Sequence, residues 1–173
     1  MSQRDSGYAR LPNEAYNTPA WVTEALLPHL PERPPAVLHE PAAGTGYIVD
    51  VLTAAGYAVT TGDLSTGEDF LKLTKCAAAG VVTNPPYNKA EPFIAHALEL
   101  MKPDGFVVML LRTDYDHAVT RRYLFDKPFA KRIVLNKRIR WIENSTGSPS
   151  FNHAWYIWDW LHEGPPTIGY APT

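Results

Sequence analysis

Apolar positions along the chain fall into two recurring patterns, short continuous runs and segments of helical period. Trp21, Val22, Ala25 and Leu26 repeat at helical spacing behind Thr18 and Pro19, which predict an N-cap and a first helical residue; Pro28 stops the pattern near Leu27. The stretch from Pro31 to Pro35 cannot be helical and leads into the mostly apolar run 36–39, a first strand. Gly44-Thr45-Gly46 then opens a helix over 47–55 that Gly56 closes. Residues 57–64 predict a second strand ending near Asp63, and 80–83 a short buried one running into Asn84-Pro85-Pro86-Tyr87. A helix over 89–101, with Phe93, Ala97, Leu100 and Met101 on one face, gives way at Pro103-Asp104-Gly105 to a strand over 106–111. The last third predicts a short helix over 118–125, then strands over 132–141 and 154–160 that suggest an antiparallel edge.

Strands alternating with helices imply an α/β fold, a mainly parallel sheet covered on both faces, whose ligands bind at the carboxyl ends of the strands. The 173 residues suit one domain, with a polar, flexible leader expected over 1–14 and no room for a separate target-recognition domain. No apolar run approaches the roughly 20 residues that span a bilayer, and the polar N-terminus lacks a secretory signal, so a cytoplasmic protein without a membrane partner is expected. One cysteine and six scattered histidines offer no metal-ligand spacing, and no metal is expected. Nothing in the pattern sets an oligomeric state. The net charge of −2 argues against nucleic acid, yet eight of the sixteen Lys and Arg residues lie between Arg121 and Arg140, opposed only by Asp126. Arg121, Arg122, Lys127, Lys131, Arg132, Lys137, Arg138 and Arg140 interleave with Tyr123, Phe125, Phe129 and Trp141, which suits contact with a nucleic-acid backbone; a solvated edge strand and helix would also explain them.

Two segments carry candidate chemistry. Glu40-Pro41-Ala42-Ala43-Gly44-Thr45-Gly46 places glycines between a strand and a helix, where a ligand can approach the backbone closely. A dinucleotide fingerprint would want a glycine where Val49 stands, which disfavours NAD. A carboxylate opening the turn would repel phosphates but suits a ligand carrying an ammonium and a sulfonium, as S-adenosylmethionine does. Asp63, 17 residues beyond Gly46, stands near where an acid meets ribose hydroxyls in folds of this topology. Singly, each has a plainer reading as a loop charge, a helix cap or a tight connection. In Asn84-Pro85-Pro86-Tyr87 the prolines stiffen the chain after a strand and hold a carboxamide and an aromatic ring in set positions.

That tetrapeptide resembles the signature Asp/Asn-Pro-Pro-Tyr/Phe/Trp of the amino-methyltransferases of the class I methyltransferase fold, a three-layer, Rossmann-like arrangement with a seven-stranded, mainly parallel sheet and an antiparallel edge strand. Tyr16-Asn17-Thr18-Pro19 is similar to the aromatic-x-Thr-Pro segment of one order class of DNA adenine methyltransferases. Residues Ser148 to Trp155 are similar to the pocket-lining end of small phage-type members. The resemblance implies S-adenosylmethionine as methyl donor, S-adenosylhomocysteine as product, and adenine in DNA as substrate. It implies a cofactor site formed by Tyr16, Thr18 and Pro19, by Glu40, Pro41, Ala43, Gly44 and Gly46, by Asp63 with Leu64, by Asp69 and Phe70 at the adenine, and by Asn84. Asn84, Pro85, Pro86 and Tyr87 would form the catalytic segment: the Asn84 oxygen and the Pro85 carbonyl accept from the target amino group, and a flipped base stacks on Tyr87 with Phe151 closing its other face. Arg121, Arg122, Lys131, Lys137, Arg138 and Arg140 would meet the nucleic acid. With 20 residues between Asp63 and Asn84, the family's third strand and its helix must be abbreviated. The same chemistry suits an RNA base or a protein glutamine amide, and the fold alone is compatible with a non-catalytic cofactor- or nucleic-acid-binding module.

Overall fold

The computed structural model describes residues 17–33, 37–126, 128–141 and 151–172. Among the described residues seven strands, β1 (Val37–Glu40), β2 (Ala58–Thr61), β3 (Gly80–Thr83), β4 (Phe106–Arg112), β5 (Phe129–Val134), β6 (His153–Asp159) and β7 (Thr167–Tyr170), form one sheet. Their order is β2-β1-β3-β4-β6-β5-β7, and β6 alone runs against its neighbours. The reversed strand therefore lies third from one edge, and β7, parallel to β5, forms that edge. The α-helices are α1 (Ala20–Glu24), α2 (Tyr47–Ala54) and α3 (Ala90–Leu100).

The sheet is buried on both faces because consecutive residues of its central strands serve different cores. Phe106, Val108 and Leu110 of β4 join Trp155 and Ile157 of β6 under α1 and α2, where Val22, Leu26, Ile48 and Leu52 complete one cluster. Val107, Met109 and Leu111 join Ala154, Tyr156 and Trp158 under α3, with Phe93, Ile94 and Ala97. Double coverage turns the expected alternation into the continuous apolar run 106–111. The indole nitrogens are satisfied inside: Trp155 Nε1 donates to the Val22 carbonyl at 2.7 Å and Trp160 Nε1 to that of Leu98 at 3.1 Å. Trp155, Trp158 and Trp160 are thus packing residues. At Gly80 a Cβ would run into the Phe106 ring, which explains a glycine opening a buried strand.

Three expectations are corrected. The strand expected over 132–141 is β5, which begins three residues earlier and ends seven residues earlier; Phe129 to Val134 pair with β6, and residues 135–141 leave the sheet as a loop carrying Lys137, Arg138 and Arg140. β7 was not expected, because it is short, largely exposed, and contains Gly169, where a Cβ would stand 2.8 Å from Ile133 Cδ1. Thr18 does not cap α1: the N-cap is Pro19, without a side-chain cap, and the helix stops at Glu24 before a 3-10 turn over Leu27–His29. Between β2 and β3 the chain makes only two 3-10 turns, Leu64–Thr66 and Phe70–Lys72, in line with the abbreviation that the 20-residue spacing implied.

Candidate active site

β1, β3 and β4 end on one side of the sheet, and β6, being reversed, begins there, since Arg112 pairs with His153 in register. This edge collects Glu40, Asn84, Arg112 and His153.

Glu40 closes β1 fully buried, and its Oε1 accepts from the Ala42 amide at 3.0 Å. Oε2 has no hydrogen-bond partner, nor does the buried Oγ1 of Thr83 on β3. Burial pushes the Glu40 carboxyl up to about 8; the nearby Thr83 hydroxyl, which lies outside bonding geometry, and the Ala42 amide hold it back, while Asp63 adds to the rise. After Glu40 the chain passes buried Pro41 and half-buried Ala43 to Gly44 and Gly46, with φ of 53° and 89°. Side chains rarely adopt that left-handed region, and nothing lies within 4 Å of where either Cβ would stand, so open space remains above the loop. Asp63 braces the loop: Oδ2 accepts from the Gly44 amide at 2.9 Å and Oδ1 from the Ser65 amide at 2.7 Å. Burial raises its carboxyl, but the bonds from Ser65 and Gly44 outweigh that and hold it below its ordinary value. A carboxylate oxygen accepts two bonds, so Oδ2 retains room for a hydroxyl. Leu64 beside it is 62% exposed and offers an apolar ligand surface.

The segment before α1 ties the two halves together. Asn17 Oδ1 accepts from Thr45 Oγ1 at 2.6 Å, and Thr18 Oγ1 accepts from Asn84 Nδ2 at 3.2 Å. With its amide nitrogen so engaged, Asn84 presents an Oδ1 that is buried and without a partner. Three orphaned oxygens, from Glu40, Thr83 and Asn84, thus lie at the ends of adjacent strands, where a ligand bearing N–H groups or positive charge would satisfy them. That set of acceptors fits a sulfonium-bearing amino acid.

Tyr87 follows in a 3-10 turn whose N-cap is Pro86, with Pro85 buried before it. Its hydroxyl lies 2.9 Å from His153 Nε2, and its ring stands edge-on to Trp141 at 6.4 Å between centroids. The Arg112 guanidinium sits 3.6 Å from the centre of the Phe151 ring and 5.7 Å from that of Tyr87. Phe151 and Tyr87 therefore share a cation, and Phe151 does stand beside the motif.

Other expected residues lie elsewhere. Phe70 is 5% exposed, with its ring against Phe93 and His96, both at 5.0 Å between centroids; the structure gives it to the core under α3. Asp69 accepts from the Leu71 amide at 3.2 Å and pairs with Lys72 at 3.4 Å. Tyr16 and Lys127, like residues 148–150, lie outside the described residues. The basic run does not form one free face. Arg132 is paired with Asp116 at 3.0 Å, Arg121 lies over the Tyr115 ring at 4.1 Å, and Arg122 meets Asp126 at 3.2 Å; Lys131 is half-buried on β5. Lys137, Arg138 and Arg140 are exposed where β5 ends, on the same side as the site; Lys137 lies over the Trp21 ring at 4.4 Å and Arg138 donates to Asn152 Oδ1 at 3.0 Å.

Sequence reasoning passed over Thr83 and Arg112, and took in His153 only as part of the segment Ser148 to Trp155, without a role of its own. A charge ending a run of six apolar residues and a histidine opening another were the available signals.

No family model and no curated protein matches the chain. Solved structures do. A predicted O-methyltransferase of Agrobacterium tumefaciens superposes with a TM-score of 0.56 at 13% identity, over 88% of this chain and 85% of that one. A TehB-like SAM-dependent methyltransferase from Corynebacterium glutamicum gives 0.53 at 12%, over 80% and 86%. The fold is that of the class I methyltransferases. The M protein of the type I restriction enzyme EcoKI gives 0.53 at 15%, with 82% of this chain matched to 43% of that longer one. No helix among the described residues is long and apolar enough to cross a membrane, and no group of three or more potential metal ligands occurs among them.

Proposed function

We propose that the chain is an S-adenosylmethionine-dependent methyltransferase acting on the exocyclic amino group of adenine in DNA. The observation that carries this reading is the orphaned Asn84 Oδ1 after β3, its amide nitrogen held by the Thr18 bond, with the orphaned Glu40 Oε2 at the end of the adjacent β1. When bound, the cofactor supplies an electrophilic methyl group on a sulfonium. Everything else falls to the chain. Glu40 offers the carboxylate that answers the cofactor's positive charges, the Gly44–Gly46 turn leaves room for it, and Asp63 keeps one acceptor position for a ribose hydroxyl.

The target amino group is a poor nucleophile because its lone pair is delocalised into the ring. Accepting its hydrogens at Asn84 Oδ1 and the Pro85 carbonyl localises that pair, and preorganised dipoles of this kind need no strong base. Tyr87 supplies a ring face for a base taken out of the stack, and Phe151 the facing ring. Lys137, Arg138 and Arg140 fall on the site side of the sheet and suit phosphate contacts.

A second reading, methylation of an RNA base or a protein amide, is favoured by the internal pairing of Arg121, Arg122 and Arg132, which leaves less positive charge for duplex DNA. Transfer of radiolabelled methyl to DNA, RNA and protein, followed by nucleoside analysis, decides between them. Label in N6-methyladenine from DNA is expected. Label confined to RNA or protein overturns the substrate, and label in none overturns the activity.

A further inference from the structure

The motif's fourth position accepts Tyr, Phe or Trp in the family it resembles, so stacking needs the Tyr87 ring but not its hydroxyl. Yet that hydroxyl is bonded, at 2.9 Å, to a histidine that is 4% exposed. His153 occupies the first residue of β6, ahead of the apolar run Ala154 to Trp158. A polar ring so buried is costly unless bonded, and its other nitrogen, Nδ1, has no partner within bonding geometry among the described residues, although the Phe151 backbone is near enough to raise its pKa. Core packing alone would be served better by a leucine or phenylalanine.

Resting on the function proposed above, we infer that His153 is a positioning residue for the target base, one that fixes the Tyr87 ring through its phenol oxygen so that the ring face stands ready beside Asn84. The surroundings support this. The His153 ring packs edge-on to Trp141 at 5.2 Å and tilted to Tyr87 at 6.0 Å, so the three rings form one braced group. Arg112, its partner across the strand pair, carries the positive charge of the cluster and stacks on Phe151. Burial first, and then the Arg112 charge, push the imidazole down to about 4 against the raising influence of Phe151 and Asp114, which leaves it neutral. The bond to Tyr87 is therefore made by a neutral imidazole, and a buried cation beside the half-buried Arg112 is avoided.

The test compares Tyr87→Phe, His153→Leu, the double variant and His153→Gln, whose amide reaches as far as Nε2. Stacking of 2-aminopurine placed in a short single-stranded oligonucleotide is followed by its fluorescence, without any methyl transfer, and single-turnover methylation of adenine-containing DNA is measured beside it. Each of the first two variants should raise the half-saturating oligonucleotide concentration about 5-fold, the effect of one lost hydrogen bond. The double variant should be no worse than either single one, and His153→Gln should recover most of the loss, with cofactor affinity unchanged throughout. Additive losses, a His153→Leu protein that binds like the wild type, or a Gln variant as poor as Leu would each overturn the inference. Coupled stacking in a protein that methylates nothing would overturn the proposed activity and leave the inference standing.

Discussion

The two halves of the site are finished to different degrees. At the ends of β1 and β3 the backbone is shaped by left-handed glycines and the side chains keep unpaired oxygens on Glu40, Thr83 and Asn84. Where β4 ends and β6 begins the aromatic and cationic groups are already engaged with one another: Tyr87 with His153, Arg112 with Phe151, Trp141 with both rings of the first pair. One half has unmet hydrogen-bonding capacity that a ligand can satisfy. The other presents a preformed surface on which a planar group can stack. A polar site of the first kind discriminates by what it leaves unsatisfied, because a wrong ligand keeps those costs in place. A stacking surface tolerates many planar partners.

The sharpest way to break this contrast is Asn84→Ala, which removes the orphaned acceptor and leaves the stacking surface whole. Single-turnover methyl transfer should fall by about 100- to 1,000-fold, the usual cost of losing one preorganised dipole. Cofactor affinity by calorimetry should stay near the wild-type value. Retention of near-normal transfer would show that the polar half does not carry the chemistry.

Glu40→Gln gives the next effect and has a definite sign with pH. The folded protein without ligand holds its proton up to about 8, whereas the unfolded chain loses it near the ordinary glutamate value of 4.5. The folded state thus binds more protons in between, so stability is highest below the unfolded value, declines as pH rises through that window, and levels off above about 8. Melting temperature followed from acid to mildly alkaline pH should show this decline in the wild type and lose most of it in the variant. A cationic cofactor favours the carboxylate, so its affinity should rise over the same window. At alkaline pH the variant should bind it roughly 10-fold more weakly, as for loss of a hydrogen bond to a charged group. Identical pH profiles for the two proteins would remove Glu40 from the site.

The smallest effect concerns the substrate half. If the loop after β5 meets phosphates, log affinity for DNA falls linearly with log salt, and Arg140→Ala reduces that slope by about 1. Arg132→Ala, which breaks an internal pair with Asp116, should leave the slope alone and cost stability instead. Equal slopes for the wild type and the Arg140→Ala variant would favour the protein-amide reading.

What was legible in the sequence follows this division. The β1 turn and the Asn84 tetrapeptide are local objects, in which glycines, prolines and strand ends adjoin along the chain, so their residues could be read in place. The strands 80–83 and 106–111 were legible because burial on both faces leaves an uninterrupted apolar run. The stacking half is assembled from distant pieces, Tyr87, Arg112, Trp141 and His153, which meet only because β6 inserts between β4 and β5 in reverse. No local pattern announces that. For the same reason a dense run of eight basic residues suggested one surface, whereas Arg132 on β5 pairs with Asp116 and Arg138 in the following loop bonds to Asn152. Phe70 was placed at the cofactor by the family resemblance alone, and no local pattern announced that its ring would pack against Phe93 in the core under α3.

The parity of β4 has a consequence for how damage would spread. Val107 and Val108 are adjacent, chemically identical and both fully buried, yet they face opposite cores. A cavity left by shortening Val108 would open beneath α1 and α2, under the glycine turn and the segment that orients Asn84. The same cut at Val107 would open beneath α3, behind the turn that carries Tyr87. Closely packed interiors relax only partly around a void. A single strand thus works as a party wall, and stepping one residue along it changes which tenant hears the noise.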